Sequence, residues 1–162
     1  MPDKIKILVV DDEVKFLESI ARRLEMRNLD VAIASDGQKA VDIARTKKFD
    51  LALLDLKMPG LNGIQVLEIL KKEHEFIEVI ILTGHGSIKS AVECTKLGAF
   101  GYLPKPYELE RLLETLKNAY AARMKKKFNK DDDRLDKIMK IASGNSPLGI
   151  LKELQKLDDE MK

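Results

Sequence analysis

The chain has 162 residues, room for one ordinary domain and a small appendage. A hydrophobic fraction of 44% beside 35% charged residues suits a globular protein with a real core and a charge-rich surface. Twenty-nine Lys+Arg against 27 Asp+Glu leave +2, too balanced to argue for nucleic acid or an anionic membrane as a partner. The apolar runs fall well short of the roughly 18 residues of a membrane span. The N-terminus meets Lys4 and Lys6 early and its apolar run stops at Asp11, which is not the pattern of a secretory leader. Cys94 is the one cysteine, without a partner for a disulfide or a Cys/His set for zinc, so a cytoplasmic setting and a packing role for Cys94 are expected.

In chain order, Ile5–Val10 reads as a first strand, followed by a helix with Phe16, Leu17, Ile20, Ala21 and Leu24 at three- and four-residue intervals. A short strand at 30–34 and the capping turn Ser35-Asp36-Gly37 lead into a helix that turns Ala40, Val41 and Ala44 inward. The apolar run 50–54 ends on Asp55 and a Pro/Gly loop through Gly63, and the next helix carries Ile64, Val66, Leu67 and Leu70. A strand at 79–82, a glycine-rich loop, a helix from Ile88 to about Leu97 closed by Gly98, and a strand at 100–103 follow. A helix burying Leu109, Leu112, Leu113 and Leu116 completes the alternation. Such alternation predicts an α/β fold with a parallel sheet covered on both faces. Right-handed crossovers leave few topologies, and the flavodoxin-like, doubly wound, five-stranded order 2-1-3-4-5 is one of them. The predicted division is residues 1–122 as that unit and 123–162 as a charged linker with a short helical extension.

Four predicted strands end on polar groups of complementary chemistry: Asp11, Asp12 and Glu13; Asp55; Thr83; and Lys105 before Pro106. In an open parallel sheet these ends share one edge, the edge where ligands bind. The order 2-1-3-4-5 sets the first and third strands side by side, so Asp11 and Asp12 meet Asp55. Three crowded carboxylates suit a hard divalent cation such as Mg²⁺, which relieves their repulsion. A carboxylate can also act as a nucleophile and form an aspartyl-phosphate, with Lys105, Thr83 and nearby backbone N–H groups as contacts for the phosphoryl oxygens. No P-loop or protein-kinase motif is present.

The segments Val9-Val10-Asp11-Asp12-Glu13, Leu53-Leu54-Asp55-Leu56-Lys57-Met58-Pro59-Gly60-Leu61-Asn62-Gly63, Leu82-Thr83-Gly84-His85-Gly86 and Tyr102-Leu103-Pro104-Lys105-Pro106 together resemble the receiver domain of two-component response regulators, over about three quarters of the chain. The resemblance implies Asp55 as phosphoacceptor, Asp12 as a direct Mg²⁺ ligand, Asp11 as a water-mediated one and the Lys57 backbone carbonyl as a further ligand. It also implies Thr83 and Lys105 as phosphate-sensing groups and Tyr102 as an aromatic switch. Lys57 and His85 would modulate the phosphoryl lifetime, against the plainer reading of exposed loop side chains. A histidine kinase or phosphotransfer protein would be the donor, and no enzyme activity is expected beyond self-phosphorylation from phosphodonors and autodephosphorylation.

After Ala122 the run Arg123, Lys125, Lys126, Lys127 and Lys130 gives way at once to Asp131, Asp132 and Asp133, which reads as the solvated end of a helix and a linker. Two helices are predicted beyond it. One carries Leu135, Ile138, Met139 and Ala142; the other follows Gly144-Asn145-Ser146-Pro147 and carries Ile150, Leu154, Leu157 and Met161. Without a basic recognition helix, direct DNA binding is not expected. The extension should pack on the receiver or offer a partner a small apolar face. The preferred reading is a stand-alone relay signalling through protein contacts, with a homodimer left open. The alternative is a fragment of a DNA-binding transcriptional response regulator; a metal-dependent hydrolase is disfavoured for want of a dedicated base.

Overall fold

A computed structural model describes residues 3–84 and 88–160. Its elements run β1 (Lys6–Val10), α1 (Val14–Glu25), β2 (Asp30–Ala34), α2 (Gly37–Thr46), β3 (Leu51–Leu54), α3 (Gly63–Glu73), β4 (Glu78–Thr83), α4 (Ile88–Lys96), β5 (Gly101–Pro104), α5 (Leu109–Lys127), α6 (Asp132–Ala142) and α7 (Pro147–Glu160). The five strands form one sheet in the order β2-β1-β3-β4-β5, with every neighbouring pair parallel. This is the flavodoxin-like order expected from the alternating pattern.

The apolar strands carry no polar alternation because both faces of the sheet are covered. On one face Ile7, Val9, Leu51, Leu53, Ile80 and Leu82 pack with Leu17 and Leu24 of α1 and Leu112 and Leu116 of α5. On the other, Leu8, Val10, Ala52, Leu54, Val79 and Ile81 meet Ala40 of α2, Leu67 of α3 and Cys94 of α4. Helix starts are fixed locally: the Asp36 carboxylate accepts from the Lys39 amide at 2.8 Å, and Asn62 and Gln65 form a reciprocal capping box. Gly98, at φ +99°, closes the turn after α4 in the left-handed region.

α5 does not end where the composition shifts. It continues to Lys127 and is buried along two adjacent stripes, Leu112, Leu116 and Ala119 beside Leu113, Tyr120 and Met124. One stripe meets the sheet. The other faces the extension, whose Ile138, Ile150, Leu151, Leu154 and Leu157 join the core of that side of the sheet. The basic run is therefore only partly solvated: Arg123 pairs with both Asp50 and Asp158 at 3.1 Å, and Lys127 pairs with Asp158 at 2.9 Å. Met139, expected inward, is exposed, because its neighbour Ile138 takes the single inward position of that turn. Met161 lies outside the described residues.

Candidate functional site

The strand ends build the site. Val10 stands opposite Leu54 in the β1–β3 register, so the next residues, Asp11 and Asp55, emerge side by side. The ladder runs one step past the strands: the Asp11 amide donates to the Ala34 carbonyl at 3.1 Å and the Asp55 amide to the Val10 carbonyl at 3.0 Å. Each carboxylate is then steadied by its own loop. Asp11 Oδ1 accepts from the Glu13 amide at 2.9 Å and Asp55 Oδ1 from the Lys57 amide at 3.3 Å. Asp11 and Asp55 are buried while Asp12 is exposed. One carboxylate oxygen from each of the three lies within 4.8 Å of the others, an all-oxygen set suited to a hard divalent cation bound directly or through its waters.

Lys105 comes from the far side of the sheet. Pro104 pairs with Thr83 across β4 and β5, and one residue later the Lys105 ammonium reaches Asp11 Oδ2 at 2.5 Å, Asp55 Oδ2 at 3.6 Å and Glu13 Oε1 at 3.9 Å. It also has an aromatic neighbour. Nζ stands 3.8 Å from the centroid of the Phe16 ring, and Tyr107 meets that ring edge-on, with centroids 6.2 Å apart. Burial, reinforced by the Asp11 carboxylate, pushes the Tyr107 phenol well above its ordinary range. Helical periodicity marks Phe16 only as a helix-face residue, and no sequence pattern assigns Tyr107 a role. The available signal was their adjacency to the acidic trio and to Pro106.

Of the other expected site residues, Thr83 ends β4 one strand from Pro104, at the same edge as the acids. Lys57 is exposed and, with Asp12, Met58, Pro59 and Asn62, lines an open hollow of about 480 Å³ beside the carboxylates. Tyr102 is half-buried against the core of the α2–α4 face. Burial raises its phenol, and the Cys94 and Asp55 charges add to the shift. His85 lies outside the described residues. The loop after Asp55 is pressed against α3 at Gly63, where a Cβ would stand 2.2 Å from the Asp55 carbonyl oxygen.

A doubly wound sheet with three acids and an ammonium gathered at its carboxyl edge defines a class of phosphoryl-accepting switch proteins. Residues 7–117 match the family described as "Response regulator receiver domain", and the chain belongs to that family. It is 41% identical over 118 residues, 73% of its own length, to the transcriptional regulatory protein ZraR of Salmonella typhimurium. Among solved structures it resembles a CheY-like receiver domain protein from Methanospirillum hungatei, with 31% identity, a TM-score of 0.74, and coverage of 76% of this chain and 99% of that one. It also resembles NtrX from Brucella abortus, with 30% identity, a TM-score of 0.74, and coverage of 80% of this chain and 29% of that one. The chain spans about a quarter of the length of ZraR, 27%. No helix among the described residues is long and apolar enough to cross a membrane.

Proposed function

We propose that this receiver accepts a phosphoryl group on Asp55 and, so modified, changes the surface it shows to a partner. The observation that carries the reading is the convergence of Asp11, Asp12, Asp55 and Lys105 at one sheet edge. Asp11, Asp12, Asp55 and the Lys57 carbonyl would hold Mg²⁺, which supplies charge neutralisation for the transferred group. A carboxylate oxygen of Asp55 attacks the phosphorus of a phosphohistidine or a small acyl phosphate. The new O–P bond forms as the bond to the leaving imidazole or acetate breaks, and the leaving group departs with that electron pair. Lys105 then exchanges part of its contact with Asp11 for a phosphoryl oxygen, and Thr83 donates its hydroxyl to another. Phosphate thereby favours the packing in which these groups close, and Tyr102 follows inward and alters the surface of α4 and α5. Lys57 and His85 would set how long the phosphate lasts.

The donor would be a histidine kinase or phosphotransfer protein and the setting cytoplasmic. Residues 1–122 would act as the phosphoacceptor unit and 123–162 as its extension, with the seam inside α5. Incubation with acetyl phosphate and Mg²⁺ is expected to add one acid-labile phosphate, and Asp55→Asn to abolish it. Equal labelling of that variant would remove the assignment. A second reading has its own support. ZraR bears the name of a transcriptional regulator and is several times longer, so this chain would be the receiver part of a DNA-binding regulator. Specific retardation of genomic DNA fragments by this chain would count against the protein-contact relay.

A further inference from the structure

The ammonium at the centre of the pocket has both carboxylates and an aromatic ring within reach. Lys105 Nζ lies 2.5 Å from Asp11, 3.6 Å from Asp55 and 3.9 Å from Glu13, and it stands over the Phe16 ring, 3.8 Å from the centroid. That ring is anchored in turn. Phe16 sits in the first turn of α1 against the core shared by β1 and α5, and the Tyr107 ring stands against it at an interplanar angle of 89°. An aromatic face attracts a cation through its quadrupole, and more strongly where water is excluded. Lys105 is only 14% exposed.

We propose that Phe16, braced by Tyr107, is a positioning residue for Lys105: its ring is the fixed face along which the ammonium passes from Asp11 to the phosphoryl oxygens on Asp55. The carboxylates alone cannot do this. They hold Nζ in the resting state, and Asp11 draws it away from the acceptor, whereas the neutral Phe16 ring attracts the ammonium without competing for its protons and shields it from water while it shifts. An aliphatic side chain of similar bulk would fill the space without the attraction. The inference rests on Asp55 being the acceptor and Lys105 its phosphate contact.

The test uses the full chain and two readouts. In the unphosphorylated protein, the ring current of Phe16 should shift the Lys105 ε-methylene protons upfield in NMR spectra. Phe16→Leu should return them toward ordinary lysine values, and Phe16→Tyr should keep the shift. With acetyl phosphate and Mg²⁺, Phe16→Leu should slow labelling by about five- to tenfold and Phe16→Tyr should recover most of that rate. In a Lys105→Met background, Phe16→Leu should cost no further rate. The proposal is overturned if the ε-methylene protons lack the shift, if Phe16→Leu labels as fast as wild type, or if it slows the Lys105→Met protein to the same degree. Failure of the acceptor assignment is distinguishable, because there Asp55→Asn would label normally while the ring-current shift persisted.

Discussion

Lys105 is an internal counter-ion before it is a phosphate contact. With its ammonium 2.5 Å from Asp11 and 3.6 Å from Asp55, it neutralises part of the charge that a metal ion would otherwise meet. Lys105→Met is therefore expected to tighten Mg²⁺ binding by about three- to tenfold while destabilising the metal-free protein by about 1–3 kcal/mol. Calorimetric titration and urea unfolding with and without Mg²⁺ would measure both, and weaker Mg²⁺ binding would refute the counter-ion account. Gly63 makes a second prediction. Its Cβ would lie 2.2 Å from the Asp55 carbonyl oxygen and 2.6 Å from the Leu56 Cα, and backbone cannot swing aside as a side chain can. Gly63→Ala should cost about 1–3 kcal/mol and depress Asp55 labelling by moving the acceptor loop, as thermal unfolding and phosphate incorporation would show. The acids and Lys105 were legible in the sequence because each ends an apolar strand, a position that parallel topology sends to one edge. Phe16 and Gly63 were not: helical periodicity tells which side of α1 is inward, not which charge lies over a given ring, and a glycine after a loop does not say what its missing Cβ would strike.

At the scale of elements, the join between α5 and α7 turns on one carboxylate. Asp158 accepts hydrogen bonds from the Tyr120 hydroxyl at 2.8 Å, Arg123 at 3.1 Å and Lys127 at 2.9 Å. Burial alone would raise its carboxyl, but the hydrogen bonds from Lys127 and Tyr120 and the charges of Arg123 and Lys127 together outweigh burial and hold it below its ordinary 3.8. A depressed carboxyl stabilises the fold above its unfolded value and loses that contribution as pH falls through the folded one. Tyr120 works from the alkaline side. Burial first, then Asp50 and Asp158, raise its phenol above its ordinary 10, so its contribution is complete below pH 10 and is lost as pH rises beyond it. Asp158→Ala, which strands Arg123 beside a vacated partner, is expected to cost about 2–4 kcal/mol near neutrality. The gap to wild type should close once the pH drops well below 3.8, and denaturant midpoints across the pH range would report it. A gap independent of acidity would mean the loss comes from packing alone. The capping residues before α7 were readable in the sequence; this docking was not, since the amphipathic pattern of a short helix names its apolar face and leaves its partner open.

For the molecule as a whole, the question is whether the extension is a separate body. Ile138, Leu151 and Leu154 belong to the same apolar core as Ile7, Leu53 and Ile80, so equilibrium unfolding should be a single cooperative step. The site lies at the other end of that core. Asp50, which holds Arg123, precedes β3 and Asp55 follows it, a separation of about 16 Å along the strand. Deleting residues 129–162 should therefore act on stability rather than chemistry. It uncovers the Tyr120 and Met124 stripe of α5 and strands Arg123 and Lys127 without Asp158. The shortened chain is expected to unfold at a clearly lower denaturant midpoint and to self-associate through the exposed stripe, as unfolding curves and sedimentation would show. In the fraction that stays folded, labelling of Asp55 by acetyl phosphate should stay within about twofold of the full chain, because among the described residues no ion-pair partner of the pocket belongs to the deleted segment and the intervening strand is fixed by its neighbours on both sides. Loss of labelling in a shortened chain that still unfolds cooperatively would show the extension coupled to the acceptor through α5, and the two ends of the sheet would have to be treated as one device.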